Sequence, residues 1–427
     1  MWSTASLTRI AEHYRSLVHP RVGIITGVKE EPPLPGEPGF PMMTARLSAI
    51  DRLFPIAGFS PIGGGTALDP LEAFVRACGE ATERYCGFLA APGPYTTYAE
   101  LPARGISPAD WPRCAPEAYG QSGNPLSPPD SRRLYHWSEG WSLLTREPVF
   151  VPTLQVSLGY RPDDPSQLVS LPHSTGLAAG DTFEAATLSG LCEVLERDAF
   201  MVTWCRRLPA AVLSFPPNGW PEVAERQRRL AQCELDLRLH ALMPEVPPAK
   251  VMALLFDRPG GSVPVACGLG ASVEPGRAAA KAIDEAVQSR RSLLLTVTQA
   301  SPCIPERPED VRSLPDHLTY YLQPERLQAF EFLFSAPTCP PTALNPIGGG
   351  TPGETLNRLV NTLGNRGYEV ICVDLTTPDV AEAGFRVVRV IVPGLIPLTH
   401  GHAMRPLGCP RWQQFPGELT PFPHPFG

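Results

Sequence analysis

Two short stretches of the chain carry the same pattern, Glu-x-x-Glu-Arg, within residues 78–84 and 191–197. On an α-helix, side chains three positions apart share a face, so each stretch presents two carboxylates on one side with an arginine beside them. Like charges on one face repel unless a cation lies between them, and the apolar flanks indicate burial. A divalent metal ion, most simply Mg²⁺, would meet that need, because it binds a few carboxylates together with phosphate oxygens. The predicted metal ligands are Glu80, Glu83, Glu193 and Glu196.

Helix start signals precede both patterns. Asp69 and Pro70 supply an N-cap acid and a proline at the first helical position, with Glu72 in the capping-box position. Asp181 and Glu184 repeat the cap spacing before the second pattern. A third helix, predicted over residues 277–293, carries Glu and Gln on one face followed by Arg, and we interpret it as a weaker third member of an internal repeat.

Glycine-rich segments stand before the acidic helices, at residues 63–66 and 174–180, and we expect loops there. Residues 63–66 lack the Gly-Lys-Ser/Thr of a P-loop, which excludes a Walker site. The same Gly-Gly-Gly-Thr string recurs at residues 348–351 before a helix without paired acids, where a flexible helix entry is the expected role. Residues 174–176 are the better candidates for contact with a nucleotide.

Composition and charge exclude several function classes. The 427 residues suffice for two or three domains or one large one. A formal net charge of −7 without basic blocks disfavours nucleic-acid partners and electrostatic membrane attachment. No apolar run reaches transmembrane length, and charged residues stand where a signal peptide needs an apolar core, so we expect a cytoplasmic protein. The 11 cysteines include no Cys-x-x-Cys pair and are expected to be reduced core thiols.

Helical and strand-like segments alternate without a strict βαβ rhythm, which favours an α+β fold. Besides the repeat, helices are expected at residues 7–17, 220–232 and 355–366, and strands at 22–28, 212–215, 235–242, 250–257, 263–271, 370–375 and 385–392. Paired strands are expected over residues 143–158, and loops over 87–135. Residues 1–60 are expected to complete the fold or contact a partner, and residues 61–427 to form the main domain.

Several separated motifs resemble, in order, those of the YcaO family. They are Glu80-x-x-Glu83-Arg84-Tyr85, Gly176-Leu177-Ala178-Ala179-Gly180, Glu193-x-x-Glu196-Arg197-Asp198 with Trp204 beyond it, and the segment Pro421–Gly427. The resemblance implies a fold of sheets flanked by helices and an enzyme that uses ATP and Mg²⁺ to act on peptide backbone amides, at a site unlike a P-loop. It places the four repeat glutamates on metal ions. It also places beside the nucleotide Arg84, Ser174, Thr175, Arg197, Glu285, Gln288 and Arg290; many members have Asn in place of Thr175.

The azoline-forming branch of the family implies a specific chemistry. A substrate Cys, Ser or Thr side chain attacks the preceding carbonyl, ATP phosphorylates the oxygen, and loss of phosphate closes a thiazoline or oxazoline. The terminal Pro-x-Pro-x-Pro resembles a motif of this branch and would form a stiff arm that reaches the reacting amide, whereas composition alone favours an ordinary proline-rich tail. The catalytic candidates are Pro421, Pro423, Pro425 and Gly427, although Phe426 and Gly427 extend beyond the last proline.

The expected activity is therefore that of an ATP-dependent cyclodehydratase acting on a ribosomally made precursor peptide. The expected partners are that precursor, a separate leader-binding protein and a flavin-dependent azoline dehydrogenase. The leader-binding protein is expected because no zinc-cysteine or leader-binding module is visible in the sequence. A homodimer is expected. Thioamide or amidine formation within the same family is the nearest alternative. A non-catalytic nucleotide-binding scaffold and a carboxylate di-metal bundle are alternatives from other classes, and the absence of Glu-x-x-His weakens the latter.

Some polar residues near these motifs stay unassigned. His173 and His424 are candidates for a general base, but a structural role is the expected one. Three arginines in the last strand-like segment and the loop after it have the reach to contact phosphate, but surface pairing is expected for them. They are Arg386, Arg389 and Arg405.

Overall fold

The structure is a computed structural model. It describes residues 4–48, 50, 62–215, 220–244, 246–299, 302–344, 346–347, 349–415 and 417–427. The α-helices of these residues are α1 (Thr4–Ser16), α2 (Pro70–Leu89), α3 (Phe183–Cys205), α4 (Pro221–Gln232), α5 (Pro275–Gln299), α6 (Leu314–Tyr320), α7 (Glu331–Phe334), α8 (Pro352–Gly364) and α9 (Pro378–Glu382).

The strands form three sheets. The first contains β1 (Ile25–Glu30), β2 (Met42–Leu47) and β3 (Ile62–Thr66), in that order and antiparallel. The other strands are β4 (Tyr95–Thr96), β5 (Tyr135–Ser142), β6 (Pro148–Pro152), β7 (Leu177–Gly180), β8 (Val212–Leu213), β9 (Asp236–Ala241), β10 (Ala249–Phe256), β11 (Val265–Ser272), β12 (Thr338–Cys339), β13 (Ile371–Asp374) and β14 (Arg386–Ile391). The second sheet has the strand order β11-β10-β9-β8-β12. The third sheet has the order β4-β5-β13-β14-β7, with β6 paired to β5.

Glycines allow two helices to lie directly on their sheets. A Cβ atom at Gly63 in β3 would lie 2.3 Å from the carbonyl oxygen of Ala77 in α2. A Cβ atom at Gly268 in β11 would lie 2.2 Å from the carbonyl oxygen of Ala282 in α5. Only glycine permits this approach, and it brings the polar faces of α2 and α5 close to the sheet backbone.

The α+β prediction is confirmed, and most predicted helices and strands match observed ones within a few residues. The pair predicted over residues 143–158 is wrong, because its two strands are β5 and β6 and the chain turns at residues 143–147 with Arg146 at a φ of 60°. Residues 63–66 and 177–180 were expected in loops but form β3 and β7. Glycine there serves close packing and strand pairing, a role that local propensity does not reveal.

The N-terminal elements share a hydrophobic core with the first acidic helix. Leu7, Ile10 and Tyr14 of α1 are buried in one cluster with Val75 and Ala77 of α2. The domain boundary near residue 60 stays a prediction, and residues 51–60 lie outside the described part of the chain. Across the described ranges, no helix is both long enough and apolar enough to cross a membrane.

Candidate functional site

A cavity of about 300 Å³ lies where helices α2, α3 and α5 meet. Its wall carries five carboxylates against three cations, which gives a formal net charge of −2. Backbone of β3 and β11 completes the wall. The polar side chains on it are Thr66, Arg76, Glu80, Ser189, Cys192, Glu193, Glu196, Arg197, Lys281, Asp284, Glu285 and Gln288. The three helices of the predicted repeat therefore converge on one site.

The three helices follow their strands in one common register. The equivalent strand positions in the three units are Gly64 in β3, Leu177 in β7 and Leu269 in β11. Sixteen positions later each unit has a cavity glutamate: Glu80, Glu193 and Glu285. Twelve positions later stand the cavity residues Arg76, Ser189 and Lys281, and nineteen positions later stand Glu83, Glu196 and Gln288. The repeat thus has three members, and Gln replaces the second glutamate in the last one.

Backbone donors fix two of the cavity glutamates. The amide of Gly64 donates to Glu80 Oε2 at 2.5 Å, and the amide of Leu269 donates to Glu285 Oε2 at 2.6 Å. Both donors are the strand residues at which the register begins, so the two units hold their acids in the same way. The second oxygen of Glu285 lies 3.8 Å from Arg197, whereas the second oxygen of Glu80 accepts a hydrogen bond from Arg84 at 2.6 Å.

Burial changes the pKa values of three cavity glutamates. It raises the pKa of Glu193 and Glu196, and it raises the pKa of Glu285 to about 7, although the nearby Arg197 lowers all three. Arg197 lies 3.2 Å from Glu196, 3.8 Å from Glu193 and 3.8 Å from Glu285. One guanidinium thus serves three desolvated carboxylates and neutralises them only in part.

This arrangement fits a divalent cation bound together with phosphate. Glu193, Glu196 and Glu285 share the single guanidinium of Arg197, so their charge favours a cation, and Arg197 and Lys281 supply positive charge for an anion in the same cavity. Within the described ranges, no group of three or more His, Cys, Asp or Glu side chains could hold a metal ion by itself. Mg²⁺ commonly takes one or two carboxylates and completes its shell with water and phosphate oxygens, so the donor set suits Mg²⁺ with a nucleotide.

Five of the predicted metal- and nucleotide-binding residues lie outside the cavity wall. Glu83 accepts a hydrogen bond from a β7 amide at 2.8 Å, which ties α2 to the third sheet. Arg84 pairs with the first glutamate of its own helix at 2.6 Å. Arg290 donates two hydrogen bonds, of 2.7 and 3.1 Å, to the aspartate that follows β10. Ser174 is exposed and Thr175 is buried beside a different cleft. Their assigned roles stay predictions.

Three charged cavity residues were missed in the sequence. Asp284 is buried and accepts hydrogen bonds from Arg76 at 2.8 Å and from Arg226 at 2.7 and 2.8 Å. Lys281 lies on the same wall. Helical spacing was the available signal, because Arg76 precedes Glu80 by one turn and Lys281 shares the face of α5 that carries Asp284.

The C-terminal arm (residues 421–427) is not a solvated tail. Pro423, Pro425 and Phe426 are buried, whereas Pro421 and Gly427 are exposed. Side chains of the core donate to its backbone carbonyls: Trp204 to Phe422 at 3.3 Å, Tyr321 to Pro423 at 2.5 Å and His317 to His424 at 2.8 Å. The Phe426 ring lies 4.2 Å from the Arg197 guanidinium, so the arm contacts the acidic cavity through a cation–π pair.

One of the three arginines for which surface pairing was expected is buried instead. Arg389 is 1% exposed, so surface pairing is wrong for it. Arg405 donates to the carbonyl of Thr420 at 3.0 Å and thereby braces the chain just before the arm. His424 stacks on His317 with ring centroids 3.6 Å apart, in keeping with the structural role expected for it.

A family model described as YcaO cyclodehydratase, ATP- and Mg²⁺-binding, matches residues 64–396. The chain belongs to the YcaO family. ATP and Mg²⁺ are therefore its cofactors. The match spans the three strand–helix units and the strand β14 that carries Arg389.

Among curated relatives, an uncharacterised protein from the tfuA 3′ region of Rhizobium leguminosarum bv. trifolii is 28% identical over 294 residues. The alignment covers 66% of this chain and 63% of the relative, so the chain spans less than two thirds of that protein. A second uncharacterised protein, from Methanothermobacter thermautotrophicus, is 26% identical over 62% of this chain and 67% of its own length.

Solved structures share the fold. A heterocyclase in complex with substrate and cofactor superimposes with a TM-score of 0.78 at 22% identity, over 98% of this chain but 57% of that one. YcaO from Methanopyrus kandleri, bound with AMPPCP and Mg²⁺, gives a TM-score of 0.64 at 22% identity. This match covers 93% of the present chain and 91% of that one. A chain of the E. coli microcin synthetase McbBCD complex with pro-MccB17 bound gives a TM-score of 0.63 at 14% identity. This match covers 93% of the present chain and 96% of that one.

Proposed function

We propose that this YcaO chain is an ATP-dependent cyclodehydratase that converts Cys, Ser or Thr of a ribosomal precursor peptide into thiazoline or oxazoline. The observation that carries the proposal is the cavity between α2, α3 and α5, where one glutamate from each strand–helix unit meets at the same register. Membership in a family of ATP- and Mg²⁺-binding cyclodehydratases supports the reaction class.

The cavity residues would divide the binding of Mg²⁺-ATP between them. The carboxylates of Glu80, Glu193 and Glu196 would hold Mg²⁺ ions, one or two carboxylates to each ion with water and phosphate oxygens completing the shell, and Arg197 and Lys281 would contact phosphate oxygens. Bound Mg²⁺-ATP supplies the phosphoryl group that turns the amide oxygen into a leaving group. The protein's own task is to place and neutralise the phosphates, as in other phosphoryl-transfer sites.

The C-terminal arm would restrict the position of Arg197. The Arg197 side chain is 11% exposed and Phe426 covers one face of its guanidinium, which leaves the edge directed to the carboxylates. A restrained arginine loses less conformational entropy when it binds phosphate. We propose that the arm, including Pro423, Pro425 and Gly427, acts through this contact and borders the reacting amide.

Delivery of the precursor is proposed to need a separate leader-binding protein. A similarly long chain of McbBCD occurs in a complex with bound pro-MccB17, which supports a multi-protein arrangement. Such a partner raises turnover chiefly by raising the local concentration of the peptide. A flavin-dependent dehydrogenase that oxidises the azolines, and a homodimeric assembly, remain part of the proposal.

Mass spectrometry of peptide products tests the reaction. A pool of synthetic Cys-, Ser- and Thr-containing peptides is incubated with the protein, ATP and Mg²⁺, while phosphate release is measured. Loss of one water per ring, matched by phosphate, is expected. Exchange of oxygen for sulfur when sulfide is added, or capture of an amine, would replace the azoline assignment with thioamide or amidine formation. ATP binding without any modified peptide after long incubation would favour a scaffold.

A further inference from the structure

Two clefts open on either side of His173, apart from the acidic cavity. Each has a volume of about 40 Å³, room for a few water-sized groups. The first is lined by Ser170, Thr399 and His400, and the second by Gln155 and Val194. Val194 is the neighbour of Glu193 on α3, so the second cleft and the acidic cavity lie beside the same helical turn.

The contact with Arg389 fixes the tautomer of His173. Arg389 Nη2 lies 3.1 Å from His173 Nδ1 and also donates to the backbone carbonyl of His173 at 2.7 Å. A guanidinium has donors and no acceptor, so Nδ1 must be the acceptor and carry no hydrogen. The neutral ring then carries its hydrogen on Nε2. His173 thus presents a hydrogen-bond donor at the junction of the clefts.

The surroundings keep that ring neutral. Burial lowers the pKa of His173 well below its ordinary value, and Arg389 and His400 lower it further. The other charged groups on the cleft walls are Asp110 and Arg113. Because Nδ1 is engaged by Arg389 and Nε2 carries the hydrogen, the ring offers no free lone pair to a proton, so its geometry suits a donor better than the general base considered from the sequence. It can donate to an oxygen that gains negative charge.

Several buried polar atoms around the clefts have no hydrogen-bond partner among the described residues. They are Gln155 Nε2, Ser170 Oγ, Arg389 Nη1 and Thr399 Oγ1. Buried polar atoms are nearly always paired, and an unpaired one costs about 1–3 kcal/mol. Arg389 is also 1% exposed, and its guanidinium donates to two backbone carbonyls and to His173. Among the described residues no carboxylate forms a close ion pair with it, although the charge of Glu193 acts on it at longer range. The region is therefore built for a polar ligand with acceptor oxygens.

We propose that His173, oriented by Arg389, binds the carbonyl oxygen of the substrate amide through Nε2–H and stabilises the negative charge that develops on it. The ligand is a peptide backbone laid across the two clefts, and no proton leaves the imidazole. This inference rests on the proposed cyclodehydratase function and adds to it the residue that contacts the reacting oxygen. The donor acts as one arm of an oxyanion hole beside the turn of α3 that carries Glu193, next to the acidic cavity.

Nitrogen NMR of ¹⁵N-histidine-labelled protein at neutral to mildly alkaline pH tests the tautomer without any ligand. His173 is expected to carry hydrogen on Nε2. His136 and His240 are internal references of the opposite kind, because their Nδ1 atoms face the carbonyls of Gly93 and Ala210 at 3.0 and 2.9 Å and must donate. A His173 that is protonated on Nδ1, or on both nitrogens at neutral pH, overturns the inference.

Turnover of the same peptide pool separates a catalytic donor from a packing role. His173→Phe keeps an aromatic ring without the donor and is expected to lower peptide-stimulated phosphate release about 100-fold to 1000-fold. His173→Gln restores a donor near Nε2 and should recover most of that loss. Calorimetry with Mg²⁺-AMPPCP should give wild-type affinity for both variants. Equal turnover of the two variants and wild type overturns the inference alone, whereas a wild-type protein that never modifies the peptides overturns the proposed function beneath it.

Discussion

The contact between Phe426 and Arg197 links the C-terminal arm to the acidic cavity, and its strength can be predicted from the structure. The guanidinium lies 4.2 Å from the ring centroid, the arginine is 11% exposed, and the phenylalanine is 4% exposed. A desolvated cation–π pair contributes about 2 kcal/mol, against ~0.5–1 kcal/mol for an exposed one. We therefore expect a coupling free energy of about 1–2 kcal/mol between the two side chains.

A double-mutant cycle measures that coupling. The free energies of unfolding of wild type, Phe426→Leu, Arg197→Met and the double variant are obtained from urea titrations followed by tryptophan fluorescence. Leucine keeps most of the apolar contact but has no π face, so the interaction term of the cycle reports the cation–π pair. Phe422→Leu, combined with the same arginine substitution, is the matched control, because Phe422 lies on the same arm, and should be additive.

A coupling below about 0.3 kcal/mol for Phe426 would be within ordinary additivity and would refute the reasoning. The same four proteins also report on function. Because the arm restrains the arginine, Phe426→Leu is expected to weaken Mg²⁺-AMPPCP binding several-fold in calorimetry, and Phe422→Leu is expected to leave it unchanged. Equal affinities for Phe426→Leu and wild type would remove the arm from the nucleotide site.

Three further predictions concern stability. Burial lowers the pKa of His317 to about 3, so between pH ~6.5 and ~3 the unfolded chain binds a proton that the folded chain does not. The free energy of unfolding should therefore fall on acidification by up to ~1.4 kcal/mol per pH unit. In His317→Asn this fall should be less steep. Gly63→Ala should cost about 1–3 kcal/mol in urea titrations, whereas Gly27→Ala, with open space around its Cβ position, should cost far less. Asp284→Asn should cost about 3–5 kcal/mol, because it leaves two arginines without their buried carboxylate; a loss below 1 kcal/mol by calorimetric melting would contradict that role.

Local signals made much of the fold predictable. The cap of α2 is the one predicted, since Asp69 accepts a hydrogen bond from the amide two residues on at 2.8 Å. The cap of α3 moves one residue, from Asp181 to Thr182, whose hydroxyl accepts from the amide of Ala185 at 3.1 Å. The capping signal located both helices because it depends only on neighbouring residues.

Long-range features could not be predicted in the same way. The glycines of β3 form a strand because a helix packs against them, and that helix lies several residues further along the chain. Arg389 was expected at the surface, because a β-branched strand does not reveal which polar residue faces the interior. The paired acids of the first two repeat members were visible in the sequence, but the position of Lys281 among the cavity residues depends on tertiary packing.

The site itself was predicted in outline from spacing. The common register of Glu80, Glu193 and Glu285 is present in the sequence and needed only the strand positions to become apparent. Arg290 shows the limit of motif reasoning, because its guanidinium is committed to a buried ion pair with Asp257 at 2.7 Å. The position of Arg290 on its helix does not reveal that Asp257 is its partner or where that partner lies.

The most direct test of the central claim is calorimetry of Mg²⁺-AMPPCP binding to Glu193→Gln and Glu184→Gln. Both substitutions remove one carboxylate from α3, but Glu193 lines the acidic cavity and Glu184 is exposed in the first helical turn. If the cavity holds Mg²⁺ and the phosphates, Glu193→Gln loses measurable binding while circular dichroism and unfolding midpoint stay intact, and Glu184→Gln binds as wild type. Wild-type affinity in a folded Glu193→Gln protein would contradict the assignment of the nucleotide site.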